Sequence, residues 1–310
     1  MRSKITIGTR ASALAIAQTS WVANTLRAAH PDITIELKTY TSRGDTITGV
    51  PLAQIGGTGV FTKELEVAIL DRRVDMAVHS LKDLTIELPE GLLVACVPPR
   101  ENPSDALVVA KGTARVGDLP TGAIVGTSSA RRAAQLLAVR PDLKTADIRG
   151  NVDTRLSKLA KGQYSAIVLA RAGLNRLGFS ITFPNEDIPF DVMLPAPGQG
   201  ALALEARADD TELLELLAEL NDDESAAAVN AERRLLALLG GGCHMPLGAL
   251  ARNEAGRLLL DAVVCAVDGR KVIRASGLAG LDEWHLASDQ AYEKLVQQGA
   301  KELLECDQQS

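Results

Sequence analysis

Twice this chain runs from a strand-like stretch through Gly-Thr, a serine and an arginine into a helix: "ITIGTRAS" at 5–12 and "AIVGTSSARR" at 123–132. A repeated strand–turn–helix unit restricts the fold strongly, because strands alternating with helices build βαβ units in a mostly parallel sheet. The surrounding pattern agrees. "KITIGTR" leads into an Ala/Leu-rich helical stretch to about Arg27, then the strand "DITIELKTY", the amphipathic helix "FTKELEVAILDRR" and the strand "VDMAVHS". A second series holds "AIVGTSS", a helix from about Ala130, "TADIRG", a helix from about Asp153, and "YSAIVLA".

Two proline-punctuated crossings, "VPPRENPSDALVV" and "LPAPGQGALALEAR", separate the series. They predict that Gly200–Arg207 returns to the first lobe, so that two lobes share a double hinge. After Asp222 the texture changes to "SAAAVNAERRLLALL", a helical run that Gly240 can cap, then two strand-like runs and a long helix. The expected domains are 1–98 with 200–218, then 99–199, then 219–310. The fold class is therefore α/β, two lobes plus a small α+β C-terminal domain.

A chain of 310 residues, 46% hydrophobic and 23% charged, fits two or three ordinary globular domains. With only 3% aromatic residues, the cores must be built from Leu, Val, Ile and Ala. The opening "MRSKITIGTR" carries no apolar stretch after its charges, and no apolar run approaches a membrane span. Cys96, Cys243, Cys265 and Cys306 are scattered without a CxxC. These features predict a cytoplasmic protein with free thiols, no metal and no membrane partner. A net charge of −6 argues against nucleic acid. Residues 125–178 nevertheless carry +7 and the remainder −13. That basic middle is either a local anion site or a set of solvated helix faces.

A hydroxyl at a helix start caps it, the free N–H groups there attract anions, and arginine adds a bidentate carboxylate partner. Two such motifs point to carboxylate binding. "VHSLKD" ends a strand, where open α/β sheets place ligands, and groups Ser80, Lys82 and Asp83. It reads either as a polar loop or as a carboxylate for proton transfer and cation stabilisation, with a lysine beside it for anions. "IRGNVDTRLSKLAKG" adds Arg149 and Arg155 to Arg131 and Arg132, again a guanidinium cluster or plain surface. Cys243 sits in "LLGGGCHMPLGAL" and reads as a small turn residue, a nucleophile with His79 or His244 as base, a metal ligand, or an attachment point. The metal reading is poorest, since consecutive Cys, His and Met cannot easily face one ion. No local protease signature accompanies the cysteine, and the glycine run suits close approach to a tethered or bulky ligand.

In order along the chain, "IGTRAS", "TSRGD", "GGTGVFTKELEVAIL", "AVHSLKDL", "GTSSARR", "RGNVDTRLSKL", "AGLNRLG", "LPAPGQGALALE" and "AERRLLALLGGGCHMPLG" resemble the signatures of the porphobilinogen deaminase (hydroxymethylbilane synthase) family. The resemblance runs from about residue 5 to 250, and the last 60 or so residues are generic. It implies a three-domain, monomeric transferase whose first two lobes resemble type II periplasmic binding proteins. Such enzymes join four porphobilinogen units head to tail with release of ammonia, giving hydroxymethylbilane for haem biosynthesis. They are primed by a dipyrromethane cofactor in thioether linkage, here to Cys243. By the same resemblance Asp83 is the catalytic carboxylate, assisted by Lys82. Cofactor would be held by Ser80, Lys82, Asp83, Thr127, Ser129, Arg131, Arg132 and Arg149, and substrate by Arg10, Ser12, Gln18, Arg149, Arg155, Arg176 and Gln199.

Some positions depart from the family pattern. Thr58 stands where lysine is common, Thr85 where proline is common, and "CHMPLG" carries an unusual residue after the cysteine. The stretch from about Arg43 to Phe61 would be a lid. Two rival readings are a non-catalytic anion-binding module on the same scaffold and a thiol hydrolase using Cys243. Both explain fewer of the motifs.

Overall fold

The computed structural model describes residues 2–41, 62–241 and 245–308. They form two compact units, 1–101 with 201–226, and 102–200 with 227–310. The sheet of the first unit contains β1 (Lys4–Arg10), β2 (Thr34–Tyr40), β3 (Met76–Ser80), β4 (Leu92–Cys96) and the late-arriving β10 (Leu202–Arg207). Its order is β2-β1-β3-β10-β4, with β1 parallel to β2 and β3, and β10 antiparallel to β3 and β4.

The period of the strands explains the two cores. Met76 and Val78 join Ile5, Ile7, Val22 and Leu26 on one face, the side of the Ala13–Ala29 helix. Ala77 turns to the other face and packs with Leu65, Ala68 and Ile69 of the Lys63–Leu70 helix. A sheet covered on both faces needs near-continuous apolar strands, which is how "MAVHS" and "LALEAR" read.

In the second unit β5 (Asp105–Val109), β6 (Ile124–Gly126), β7 (Lys144–Ala146), β8 (Ala166–Ala170) and β9 (Asn185–Asp187) form a sheet of order β7-β6-β8-β5-β9. Here β6 is parallel to β7 and β8, and β5 runs antiparallel to β8 and β9. Both sheets therefore follow one plan, a parallel trio with a strand of opposite sense inserted next to its third member. One α/β strand plan is thus present twice.

The unit continues into an antiparallel meander of β11 (Leu247–Glu254), β12 (Arg257–Cys265) and β13 (Val272–Gly280), covered by helices Trp284–Gln297 and Ala300–Gln308. Where the sequence predicts two strands and one long helix, there are three strands, and the helix breaks at Gly299 (φ +84°). The extra strand is β11, whose apolar residues follow directly on the glycine loop motif. The helix Asp223–Leu238 ends as expected, with Gly240 at φ +95° and Gly241 N–H donating to Leu236 O (2.9 Å). The meander shares a core with the Ala130–Val139 helix and the Leu194 loop through Ala134, Leu194, Leu250, Val263 and Cys265. Gly269 completes this join: a Cβ there would lie 2.6 Å from the Ala138 amide nitrogen.

Candidate active site

In the first unit, the C-terminal ends of the adjacent parallel strands β1 and β3 carry all the expected residues. Arg10 closes β1, and Ser12 caps the next helix by accepting from Ala15 N–H at 3.3 Å. Ser80 closes β3 and opens a single 3₁₀ turn, Leu81–Asp83. Gln18, 4% exposed, reaches from the helix to donate to Ser80 Oγ at 2.8 Å. Leu81 N–H donates to Ala201 O at 3.0 Å, tying the turn to the start of β10. Lys82 and Asp83 are half-buried on this turn. Thr85 accommodates the position where family members carry proline by donating to Glu87 O at 2.7 Å.

In the second unit, the loops after β6, β7 and β8 bring the other residues to one edge. Thr127 is buried and accepts from Ser129 N–H at 3.2 Å, and Ser129 caps the Ala130–Val139 helix. Ser128 Oγ donates to Ile148 O (2.9 Å) and accepts from Ile148 N–H (3.0 Å), joining the β6 and β7 loops. Arg149 and Arg155 flank Gly150, whose φ of +108° makes the turn that a side chain would strain. Arg155 Nε donates to Gly150 O at 2.8 Å and Arg176 Nη2 to Gly200 O at 2.8 Å.

Arg131 and Arg132 are not surface groups. Both are buried and converge on Asp105, which is wholly enclosed. Arg131 Nη1 donates to Asp105 Oδ2 at 2.7 Å and to Leu194 O at 2.6 Å. Arg132 donates to Asp105 Oδ1 through Nε (2.9 Å) and Nη2 (2.7 Å), and to Val168 O. Gln199, fully buried, adds a fourth bond to Asp105 at 3.0 Å. Burial alone would push the Asp105 carboxyl up, but the two guanidinium groups and these bonds hold it well below the usual carboxylate range. Both arginines lie in the first turn of a helix, the end where the backbone dipole disfavours cations. Positive charge is thus accumulated against a local preference.

Asp105 has no place among the residues expected from the sequence. Its signal was there: an aspartate opening "DALVV", a strand buried at every position. Glu232 is a second unexpected element. Fully buried, it accepts from Gly198 N–H (2.7 Å) and Ala251 N–H (2.8 Å), fastening the Gly-Gln-Gly loop to the meander.

His79 corrects one alternative. It is 5% exposed, with Nε2 2.8 Å from Glu205 Oε2, so it is an occupied interior partner and not a free base for a thiol. Cys243 and His244 lie outside the described residues, as do Thr58 and the 43–61 lid stretch. Cys96 and Cys265 are buried free thiols, and burial pushes them up to about 12 and about 11. Alkylation of the native protein at mildly alkaline pH should therefore leave both unmodified by peptide mass mapping. Rapid labelling of either would contradict this placement.

Two family descriptions cover the chain: "Porphobilinogen deaminase, dipyromethane cofactor binding domain" over residues 5–215, and "Porphobilinogen deaminase, C-terminal domain" over 226–305. The chain belongs to the porphobilinogen deaminase family. It is 48% identical over 305 residues to the porphobilinogen deaminase of Desulforamulus reducens, covering 98% of both chains. It is 50% identical over 304 residues to that of Roseiflexus castenholzii, covering 98% of this chain and 99% of the relative. Among solved structures, a probable amino-acid ABC transporter extracellular-binding protein of Bacillus subtilis aligns with TM-score 0.43 and 14% identity, over 71% of this chain and 90% of that one. Membership of the porphobilinogen deaminase family makes the chain a transferase of the hydroxymethylbilane synthase class, with a dipyrromethane cofactor.

Proposed function

We propose that this chain condenses porphobilinogen head to tail, with loss of ammonia, to hydroxymethylbilane, and that its cofactor is carried on Cys243. The observation that supports this most directly is the group of arginines at the edge of the second sheet. Arg131 and Arg132 are buried over Asp105, and Arg149, Arg155 and Arg176 stand on the neighbouring loops. Porphobilinogen carries an acetate and a propionate, so two linked pyrroles carry four carboxylates, and the donor set suits them. Arg131 reaches Asp105 through Nη1 alone, which leaves Nε and Nη2 for a ligand. Thr127, Ser129 and the N–H groups of the capped helix add neutral donors.

When bound, the dipyrromethane supplies the pyrrole carbon from which the product grows. The chain's own residues do the remaining work. Arg10, Ser12, Gln18, Arg149, Arg155, Arg176 and Gln199 hold or frame substrate carboxylates. Loss of ammonia leaves positive charge on the substrate, and the Asp83 carboxylate stabilises it. Asp83 also passes a proton to the leaving amine and later accepts one from the ring carbon. Lys82, beside it, neutralises a carboxylate.

Three domains, a monomeric state, a cytoplasmic location and the absence of a nucleic-acid partner complete the reading; the buried free thiols support the location and the net charge the last. The deciding test is the intact mass of the purified chain beside Cys243→Ser. The wild type should exceed its sequence mass by two linked pyrrole units and the variant should not. A wild-type chain that stays unmodified after incubation with porphobilinogen overturns the reading.

A further inference from the structure

The reaction makes no use of a polar cluster buried on the opposite side of the first sheet from Ser80. His79 directly precedes Ser80, and because side chains alternate along a strand its imidazole lies on the other face. There it meets Glu205 of β10, the two side chains 3% and 0% exposed. Glu66 of the Lys63–Leu70 helix, 7% exposed, covers the same region and is electrostatically coupled to both. Glu205 thus meets the imidazole directly, and a second buried carboxyl, Glu66, lies in the same layer beside Thr62. Glu66 Oε1 and Glu205 Oε1 are both enclosed without a hydrogen-bond partner. Two ionised carboxylates in that setting repel, and their orphan oxygens lack a donor. A single proton relieves both faults.

We propose that Glu66, His79 and Glu205 form a positioning triad, with a proton held on the Glu66 carboxyl, that clamps the end of β3 and so orients the Asp83 turn. The geometry around β3 shows why a clamp matters. One face of its end is held by Gln18 on Ser80 and the other by Glu205 on His79. Within the turn Leu84 N–H donates to Leu81 O at 3.2 Å. A shift at His79 is therefore passed to Asp83 four residues on.

The groups facing Glu66 are Thr62 at the start of its own helix and Lys63 on it, His79 from β3 and Glu205 from β10. Arg207, two residues further along β10, is committed to the Ile69 and Val74 carbonyls and to Asp210, and Tyr40 of β2 packs at the margin of the layer. Burial raises the Glu66 carboxyl and Glu205 adds to the rise, against the Thr62 hydroxyl, His79 and Lys63. A group raised on folding contributes stability below its unfolded ionisation, and that stability is lost as pH climbs through the folded one. The clamp therefore weakens on the alkaline side.

This inference rests on Asp83 being the catalytic carboxylate. The test compares holoenzyme kinetics and thermal unfolding of Glu66→Gln, Glu66→Ala and Glu205→Gln across pH. Glutamine supplies a donor in place of the proton. Glu66→Gln should keep kcat within about twofold of wild type near neutrality and hold it to higher pH. Its Tm should gain on the wild type as pH rises from about 6 to about 9. Glu66→Ala and Glu205→Gln should lower kcat about tenfold or more with KM little changed. The triad is overturned if Glu66→Gln is as impaired as Glu66→Ala, or if it shares the alkaline decline of the wild type. An Asp83→Asn enzyme of near wild-type rate would instead sink the catalytic assignment, whatever the triad does.

Discussion

Asp83→Asn is expected to lower kcat by about 10²–10⁴-fold, with KM within a few-fold of wild type and the cofactor adduct intact by mass. Asparagine keeps the size and hydrogen-bonding reach of the side chain but loses the negative charge and the proton affinity. Those two properties are what charge stabilisation and proton transfer require. The Ser80–Asp83 turn is held by Gln18 on Ser80 and by Ala201 on Leu81, neither of which touches the Asp83 carboxyl. The substitution should thus leave the fold alone, and an unchanged adduct separates lost chemistry from lost assembly. A variant turning over near the wild-type rate would remove Asp83 from the role.

The second large effect is on stability. Asp105→Ala is expected to destabilise the chain by about 3–5 kcal/mol, measured from urea unfolding of the cofactor-free protein. The exposed pair Arg72–Asp209, each side chain 65% exposed, should contribute only about 0–1 kcal/mol by the same measurement. The contrast follows from burial. Removing Asp105 leaves two enclosed guanidinium groups facing each other without an anion, and takes one of its acceptors from Gln199. Asp105→Asn keeps an acceptor and should be milder, though it leaves the surplus charge. Because the folded Asp105 carboxyl is held below its unfolded value, its contribution is present above ordinary carboxylate pH and is lost only as pH falls toward the folded value. Equal stability of the alanine variant and the wild type would show that the arginines find other partners. Porphobilinogen-dependent adduct formation should also slow, since Arg131 and Arg132 would no longer be aimed.

Those two predictions differ in how far they could be anticipated. Asp83 stands in a short strand-end motif with Lys82, and its location at the edge of a parallel sheet follows from strand periodicity alone. Asp105 is about 26 residues from Arg131 in the chain, and no local pattern joins them. The same division runs through the site. Ser12 and Ser129 were readable as helix caps because capping is a local rule, and both cap. Arg131 and Arg132 were readable as cations near a helix start, but not as buried ones, because burial depends on which strand passes beneath them. His79 looked like a spare base until β10 placed Glu205 against it.

By itself the sequence determined the α/β class, the helix ended by Gly240 and the family, because period, caps, turns and ordered motifs are properties of neighbouring residues. Only the tertiary structure decided which charges are paired. It inserted an antiparallel strand into each sheet, set Asp105 under two arginines, put Glu205 beside His79 and placed Glu232 under the Gly198 and Ala251 amides. The reason is dielectric as much as geometric. In a dry interior a charge needs a partner within hydrogen-bond reach, and which partner arrives is settled by strand order over a hundred residues, not by the local chain.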